Sequence, residues 1–247
     1  MTQNIYDDPT FFAAYSRLPR SVRGLEGAPE WPSLRALLPA LSVKRVLDLG
    51  CGFGWFCRWA HAQGAVRVVG VDVSQRMLER ARAESSTAAI EYVQADLQLY
   101  DYPEAQFDVV YSSLALHYLE NLAATLQGVQ RALSPGGRFV FSVEHPLFTA
   151  PAQPGFIDHP AAGDRSHRTW PVDGYLDEGP RTTHWLAPGV IKQHRTLASY
   201  LRLLRAAGLT LEQLEEWGPS AQHIEQHPEW RDELQRPAFL LVACRRA

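Results

Sequence analysis

Between residues 46 and 57 the chain reads VLDLGCGFGWFC, an apolar run that meets Asp48 and then Gly50, Gly52 and Gly54. Glycines placed directly after a strand serve a tight turn or a close approach of backbone to a ligand. A turn of that kind at the start of a helix offers backbone N–H groups to an anionic or nucleotide-type ligand. Two further acids fall at comparable places. Asp72 ends the run VRVVGVD, 22 residues beyond Gly50, where a carboxylate can accept from both hydroxyls of a ribose. Asp96 ends IEYVQAD, where a carboxylate can accept from the exocyclic amine of an adenine while the backbone near Leu97 reads the ring edge. The glycine triplet alone is also what a tight strand–helix turn with no ligand would need. Three in sequence, at three successive strand ends, point to a cofactor. The spacing departs from the dinucleotide fingerprint G-x-G-x-x-G, because Trp55 stands at the third position and Gly54 one place early.

The elements that must position these residues are legible as alternating patterns. Residues 29–41 predict a short amphipathic helix. Strands are predicted at 45–49, 66–72, 90–96, 107–113 and 138–144, with helices at 53–64, 74–84 and 119–137 between them. Ser74 is a natural N-cap and Gly64 a natural helix stop. Strands alternating with helices predict a parallel sheet covered on both faces, and such sheets bind ligands at the carboxyl ends of their strands. A helix at 196–208 and two strands at 209–217 and 237–246 follow. Residues 146–188 break the pattern: they hold seven of the 17 prolines, with Phe148, Phe156, Trp170, Tyr175 and Trp185. Five of the nine histidines fall between His145 and His194. A long segment of this kind predicts an irregular cap over a site. The expected organisation is one domain over 1–247: an N-terminal helical segment (1–43), a cofactor-binding core (44–145), a cap insertion (146–195) and a C-terminal helix with a strand pair (196–247).

Composition narrows the function. The 247 residues are 46% hydrophobic and 21% charged, with a net charge of -3. That balance gives no bulk attraction to nucleic acid, and no apolar run reaches the length of a membrane span. Cys51, Cys57 and Cys244 form no CxxC pair and no metal-ligand spacing, so neither a disulfide framework nor a metal site is expected. The start of the chain has no basic segment followed by an apolar one. A cytoplasmic protein is the expectation, with a homodimer allowed.

Taken with these motifs, residues 44–145 and again HRTLASYLRLLRAAGLTLEQLEEW resemble the class I S-adenosylmethionine-dependent methyltransferases, in the small-molecule subgroup that includes quinone-biosynthesis enzymes. The family's acid-x-Gly-x-Gly-x-Gly motif matches Asp48, Gly50, Gly52 and Gly54. YSSLALHYLEN (111–121) is similar to its fourth-strand motif and LSPGGRFVFSV (133–143) to its turn into the fifth strand. The resemblance implies a Rossmann-like α/β sandwich with a seven-stranded sheet, six strands parallel and the last antiparallel. It implies S-adenosylmethionine as cofactor, with its methionine part against Gly50, Cys51 and Gly52 and near Asp48. Asp72 would take the ribose, Val73 and Met77 would pack beside the adenosine, and Asp96 and Leu97 would meet the adenine. Ser112 would approach from the fourth strand, and the segment 11–24, with Tyr15, Arg17 and Arg20, would fold over the cofactor.

Methyl transfer from a sulfonium needs alignment and exclusion of water more than acid–base help. His145, at the end of the fifth strand, is the expected catalytic residue facing the acceptor, with Glu144 as an acid that could orient it. His117 is expected to shape the cofactor site or the scaffold, and His184 and His194 to be structural or surface residues. The cap's aromatic residues predict a small, partly apolar acceptor. Competing readings are a nicotinamide-dependent oxidoreductase, a nucleic-acid methyltransferase and a protein that holds S-adenosylmethionine without turnover. The glycine spacing disfavours the first, and YSSLALHY in place of an Asn-Pro-Pro-aromatic motif disfavours the second.

Overall fold

The computed structural model describes residues 2–159 and 167–247. The chain opens with a 3-10 turn at Ile5–Asp7, helices α1 (Pro9–Tyr15) and α2 (Pro19–Val22), a turn at Gly24–Gly27 and α3 (Trp31–Ala36). Then come β1 (Arg45–Leu49), α4 (Trp55–Ala62), β2 (Arg67–Asp72), α5 (Gln75–Ala83), β3 (Ile90–Gln94) and β4 (Phe107–Ser113). A 3-10 turn at Leu116–Tyr118 leads into α6 (Leu122–Ala132) and β5 (Leu133–Glu144). Helix α6 starts on the Asn121 side chain, which accepts the Ala124 N–H at 3.2 Å. It ends at Ala132, just before the Ser-Pro-Gly-Gly run expected to stop it. That run lies unpaired within β5, where the register against β4 jumps from Phe107–Leu133 to Val109–Arg138.

The sheet runs β10-β11-β5-β4-β1-β2-β3, where β10 is Leu209–Trp217 and β11 is Phe239–Arg246. β1 to β5 pair in parallel, and β11 runs antiparallel to both β5 and β10. Six strands therefore share one direction, as expected. Strand alternation sorts the apolar residues onto two faces. Leu47, Leu49, Val69, Val71, Val110, Phe139 and Phe141 pack with α6 and α8 (Leu197–Ala206). Val46, Val68, Val109, Tyr111 and Val140 pack with α3 and α4. Burial on both faces is why these strands read as nearly continuous apolar runs. Among the described residues no helix is long and apolar enough to cross a membrane.

The segment after β5 is more ordered than its composition predicts. It holds α7 (Pro146–Thr149) and two antiparallel pairs: β6 (Ile157–His159) with β7 (His167–Thr169), and β8 (Gly179–Thr183) with β9 (Val190–His194). Residues 160–166 of the expected cap lie outside the described residues. A second difference falls between the last two strands, where α9 (Ala221–Gln226) and a 3-10 helix at Pro228–Gln235 occupy a stretch without a periodic apolar signal. Ser220 and His223 close α9 with a reciprocal cap. The two insertions grip each other through Arg236, whose guanidinium lies 4.1 Å from the Trp170 ring and 4.6 Å from that of Phe148. Arg168 adds a hydrogen bond to Asp232 at 2.9 Å.

Candidate active site

A cavity of about 650 Å³ opens at the carboxyl ends of the parallel strands. One end is built on the glycine turn. Gly50, Gly52 and Gly54 all have positive φ. A side chain at Gly50 would strike the Ala115 side chain, and one at Gly54 would strike Tyr92. At Gly52, φ is 51° and a Cβ would meet nothing within 4 Å, so the open space in front of that residue is the room left for a ligand.

Asp72 fixes the turn. Its Oδ2 accepts the Gly52 N–H at 2.8 Å and its Oδ1 the Ser74 N–H at 2.9 Å, while the residue lines the cavity. Burial raises its pKa. Val73, Met77 and Leu97 line the same end. Asp48 and Cys51 border a smaller cavity of about 100 Å³ that shares Gly50, Gly52, Tyr15 and Arg20 with the large one. Asp48 is 2% exposed and accepts from Cys57 Sγ at 3.2 Å. Burial pushes its carboxyl up to about 7, with the charge of Asp72 adding to the shift. Burial likewise lifts the Cys51 thiol to about 11.

The N-terminal segment closes this end. Asp7 takes the Ser74 hydroxyl at 2.6 Å, tying the segment to the start of α5. Tyr6, Tyr15, Arg20 and Arg23 line the cavity, whereas Arg17 does not. Arg20 is held by the buried Glu30 at 3.0 Å. Two expected cofactor residues stand elsewhere. Asp96 is not part of the lining, because its carboxylate accepts the N–H and the hydroxyl of Thr2, each at 2.8 Å, and the Gln98 N–H at 3.0 Å. Ser112 is fully buried and donates to the Leu49 carbonyl at 2.8 Å, joining β4 to β1; Ser113, one place on, reaches the cavity.

The other end lies beyond β4 and β5. Its walls are Phe148, Trp185, Trp230 and Phe239, with His117, Tyr118, Glu144, His223, Gln226 and His227. Of the two central histidines, His145 is not placed where an acceptor-facing role requires, whereas His117 reaches the cavity. His145 is 2% exposed and absent from the lining. Its Nδ1 accepts the Leu147 N–H at 3.1 Å, and its Nε2 donates to Glu216 at 2.9 Å. The acid that holds it is therefore Glu216 of β10 and not Glu144, whose side chain leaves the opposite face of β5 and accepts from Lys192 Nζ at 2.5 Å. Burial lowers the pKa of His145, against the pull of Glu216. His117, by contrast, lines the cavity. His194 is buried between Thr149 (2.8 Å) and the Tyr175 carbonyl (2.9 Å), and His184 is exposed. The contributions of Tyr6, His223, His227 and Trp230 carried no signal in the sequence, since they come from polar segments with no periodicity.

A doubly wound sheet with a glycine turn at its first strand and acids at the ends of the first two defines a nucleotide-cofactor-binding α/β protein. Comparison with known proteins makes the class definite. A family model described as a methyltransferase domain matches residues 47–141. The crystal structure of an S-adenosylmethionine-dependent methyltransferase from Mesorhizobium loti matches with a TM-score of 0.84 and 53% identity, over 90% of this chain and 100% of that one. An uncharacterized protein of Haemophilus influenzae is 32% identical over 98% of this chain and 97% of its own length. A malonyl-[acyl-carrier protein] O-methyltransferase of Enterobacter lignolyticus is 41% identical over 110 residues, 44% of this chain and 43% of that protein. The chain belongs to the class I S-adenosylmethionine-dependent methyltransferases, and S-adenosylmethionine is its cofactor.

Proposed function

We propose that this methyltransferase acts on a small, partly apolar acceptor by in-line displacement. The observation that carries the reading is the single cavity reaching from Asp72 and Gly52 at one end to Phe148, Trp185, Trp230 and Phe239 at the other. Its size is within the range of sites that enclose small molecules. When bound, S-adenosylmethionine supplies an electrophilic methyl group on a sulfonium.

The residues of the glycine-turn end fit that cofactor. Asp72 has lone pairs left for the ribose after its two backbone bonds. Gly52 leaves open space for the methionine portion, and the buried Asp48 favours a cation nearby. Tyr15 and Arg20, which line the same end, are assigned to the methionine carboxylate, and Val73, Met77 and Leu97 to the adenosine. Asp96 is left out of this assignment because Thr2 and Gln98 occupy its carboxylate. His145 has both ring nitrogens engaged and is assigned to the scaffold. Chemistry here rests on alignment and on the exclusion of water by the aromatic walls.

A small-molecule acceptor of the quinone-biosynthesis type is supported by those ring-lined walls. The acyl-carrier-protein enzyme shares less than half of either chain, so its acceptor is not carried over. The test is formation of S-adenosylhomocysteine from S-adenosylmethionine against a metabolite panel that includes catechols, phenols and short carboxylic acids. Turnover on a panel member supports the reading. Tight cofactor binding with no turnover on any member would leave a protein that holds the cofactor without methyl transfer.

A further inference from the structure

We infer that His117 is an acceptor-binding residue that presents a fixed Nε2–H donor to a carbonyl or carboxylate oxygen of the acceptor, beside an apolar body held by the aromatic walls. The inference rests on the methyl-transfer reading above and names the chemistry at its acceptor end.

The geometry begins in the backbone. Leu114 has φ 52°, a strained conformation for a side-chain-bearing residue that persists only where its surroundings enforce it. Here the Leu114 N–H donates to the Ser142 carbonyl at 3.0 Å, and Ala115 is wedged against Gly50. The following 3-10 turn then sets His117 over the end of β5. Its Nδ1 accepts the Glu144 backbone N–H at 3.3 Å. A ring nitrogen that accepts carries no proton, so in the neutral ring the hydrogen is on Nε2.

Nε2 has no hydrogen-bond partner among the described residues, yet it is not among the buried polar atoms left without one. It therefore keeps accessible surface. Because His117 is only 2% exposed and lines the cavity, that surface opens into the cavity. A donor with no protein partner that opens into a binding cavity is free to meet an acceptor on a ligand.

The surroundings select the ligand's character. Glu144 (β5), Lys192 (β9), Arg195 and Arg20 (α2) are the charged groups near enough to act on the ring electrostatically. The Glu144 carboxylate is engaged by Lys192, whose Nζ also lies 4.9 Å from the Trp185 ring. Tyr118 packs its ring 4.6 Å from the imidazole. Burial pushes His117 down to about 4 against the pull of Glu144, with Lys192, Arg195 and Arg20 adding to the fall, so it stays neutral through the physiological range. A neutral N–H donor pairs with an oxygen lone pair and has nothing to accept from an ammonium group.

The experiment uses the full chain with uniformly ¹⁵N-labelled histidine, and with benzoate and benzylamine as probes. His117 is expected to show a protonated Nε2 and an unprotonated Nδ1 from about pH 5 to 8. Benzoate should shift the Nε2 signal, and benzylamine should not. His117→Phe should weaken benzoate binding about tenfold, His117→Gln should restore most of it, and both should bind S-adenosylhomocysteine within about twofold of the native chain. A protonated Nδ1, a ring that titrates near neutral pH, or a Nε2 signal indifferent to benzoate would overturn the inference. So would an equal loss of S-adenosylhomocysteine affinity in His117→Phe, which would assign the donor to the cofactor. If the native chain binds no S-adenosylhomocysteine, the methyltransferase reading falls, while the benzoate arm still decides the role of His117.

Discussion

Asp48→Asn separates the cost of the cofactor site from its use. Asp48 is buried beneath the glycine turn, and burial lifts its carboxyl from the ordinary 3.8 to about 7. An acid raised in the folded state holds its proton more tightly there than in the unfolded chain. Its contribution to stability is therefore complete below pH 3.8, declines as pH rises toward about 7, and stays lost above that. At about 1.4 kcal/mol per pH unit, the full decline is on the order of 4 kcal/mol. Asparagine has nearly the same shape, and its carbonyl can still accept from Cys57 Sγ, but it never ionises. Without cofactor, the melting temperature of Asp48→Asn should match the native protein near pH 4 and exceed it increasingly up to about pH 7. Binding should show the converse. A cationic ammonium beside Asp48 favours the ionised carboxylate, so native affinity for S-adenosylhomocysteine should rise with pH up to about 7, by at most tenfold per pH unit. The variant should bind more weakly, with little pH dependence. Thermal melts and calorimetric titrations across that range test both halves. Parallel melting curves for the two proteins would refute the claim that Asp48 bears the desolvation cost, and an unchanged affinity would refute its pairing with the ammonium.

Other perturbations divide site from scaffold in the same way. Gly52→Ala should lower stability by about 1–2 kcal/mol, through its positive φ, and should lose far more in S-adenosylhomocysteine affinity because the added methyl fills the ligand's space; a titration equal to the native one would place the cofactor elsewhere. Asp72→Ala should weaken the same ligand by roughly 1.5–3 kcal/mol, measured by calorimetry, with a further loss of order in the glycine turn once the Gly52 N–H has no acceptor. His145→Ala should lower the melting temperature while leaving the single-turnover rate nearly intact once an acceptor is known. Because burial lowers the pKa of His145, the native ring resists protonation and stability falls as pH drops below about 6.5; the variant should show a shallower fall. Arg236→Ala removes the guanidinium packed on Trp170 and Phe148, so limited proteolysis should open the segment 146–195 first; unchanged cleavage kinetics would show that the two insertions hold without it.

The sequence by itself determined the sheet and the glycine-turn part of the site. Both are written in short stretches: apolar runs buried on two faces, a glycine turn after β1, and Asp72 a few residues from Ser74, the cap of the next helix. In a βα unit the residue ending a strand sits at the ligand edge wherever the rest of the chain goes. The acceptor end was decided by tertiary structure, because its partners are far apart in sequence. Glu216 reaches His145 from β10 and Lys192 takes Glu144 from β9, and at the cofactor end Thr2 likewise occupies Asp96 from 94 residues away. Strand alternation assigns Glu144 and His145 to opposite faces, but it does not say which face meets the cavity. The structure shows that Glu144 and not His145 lines it, with the turn at Leu116–Tyr118 bringing His117 alongside and its Nδ1 onto the Glu144 N–H. The helix pair between β10 and β11, which brings His223, His227 and Trp230 to the wall, is polar and aperiodic. It is held by caps and by Arg236, and hydrophobic periodicity records neither.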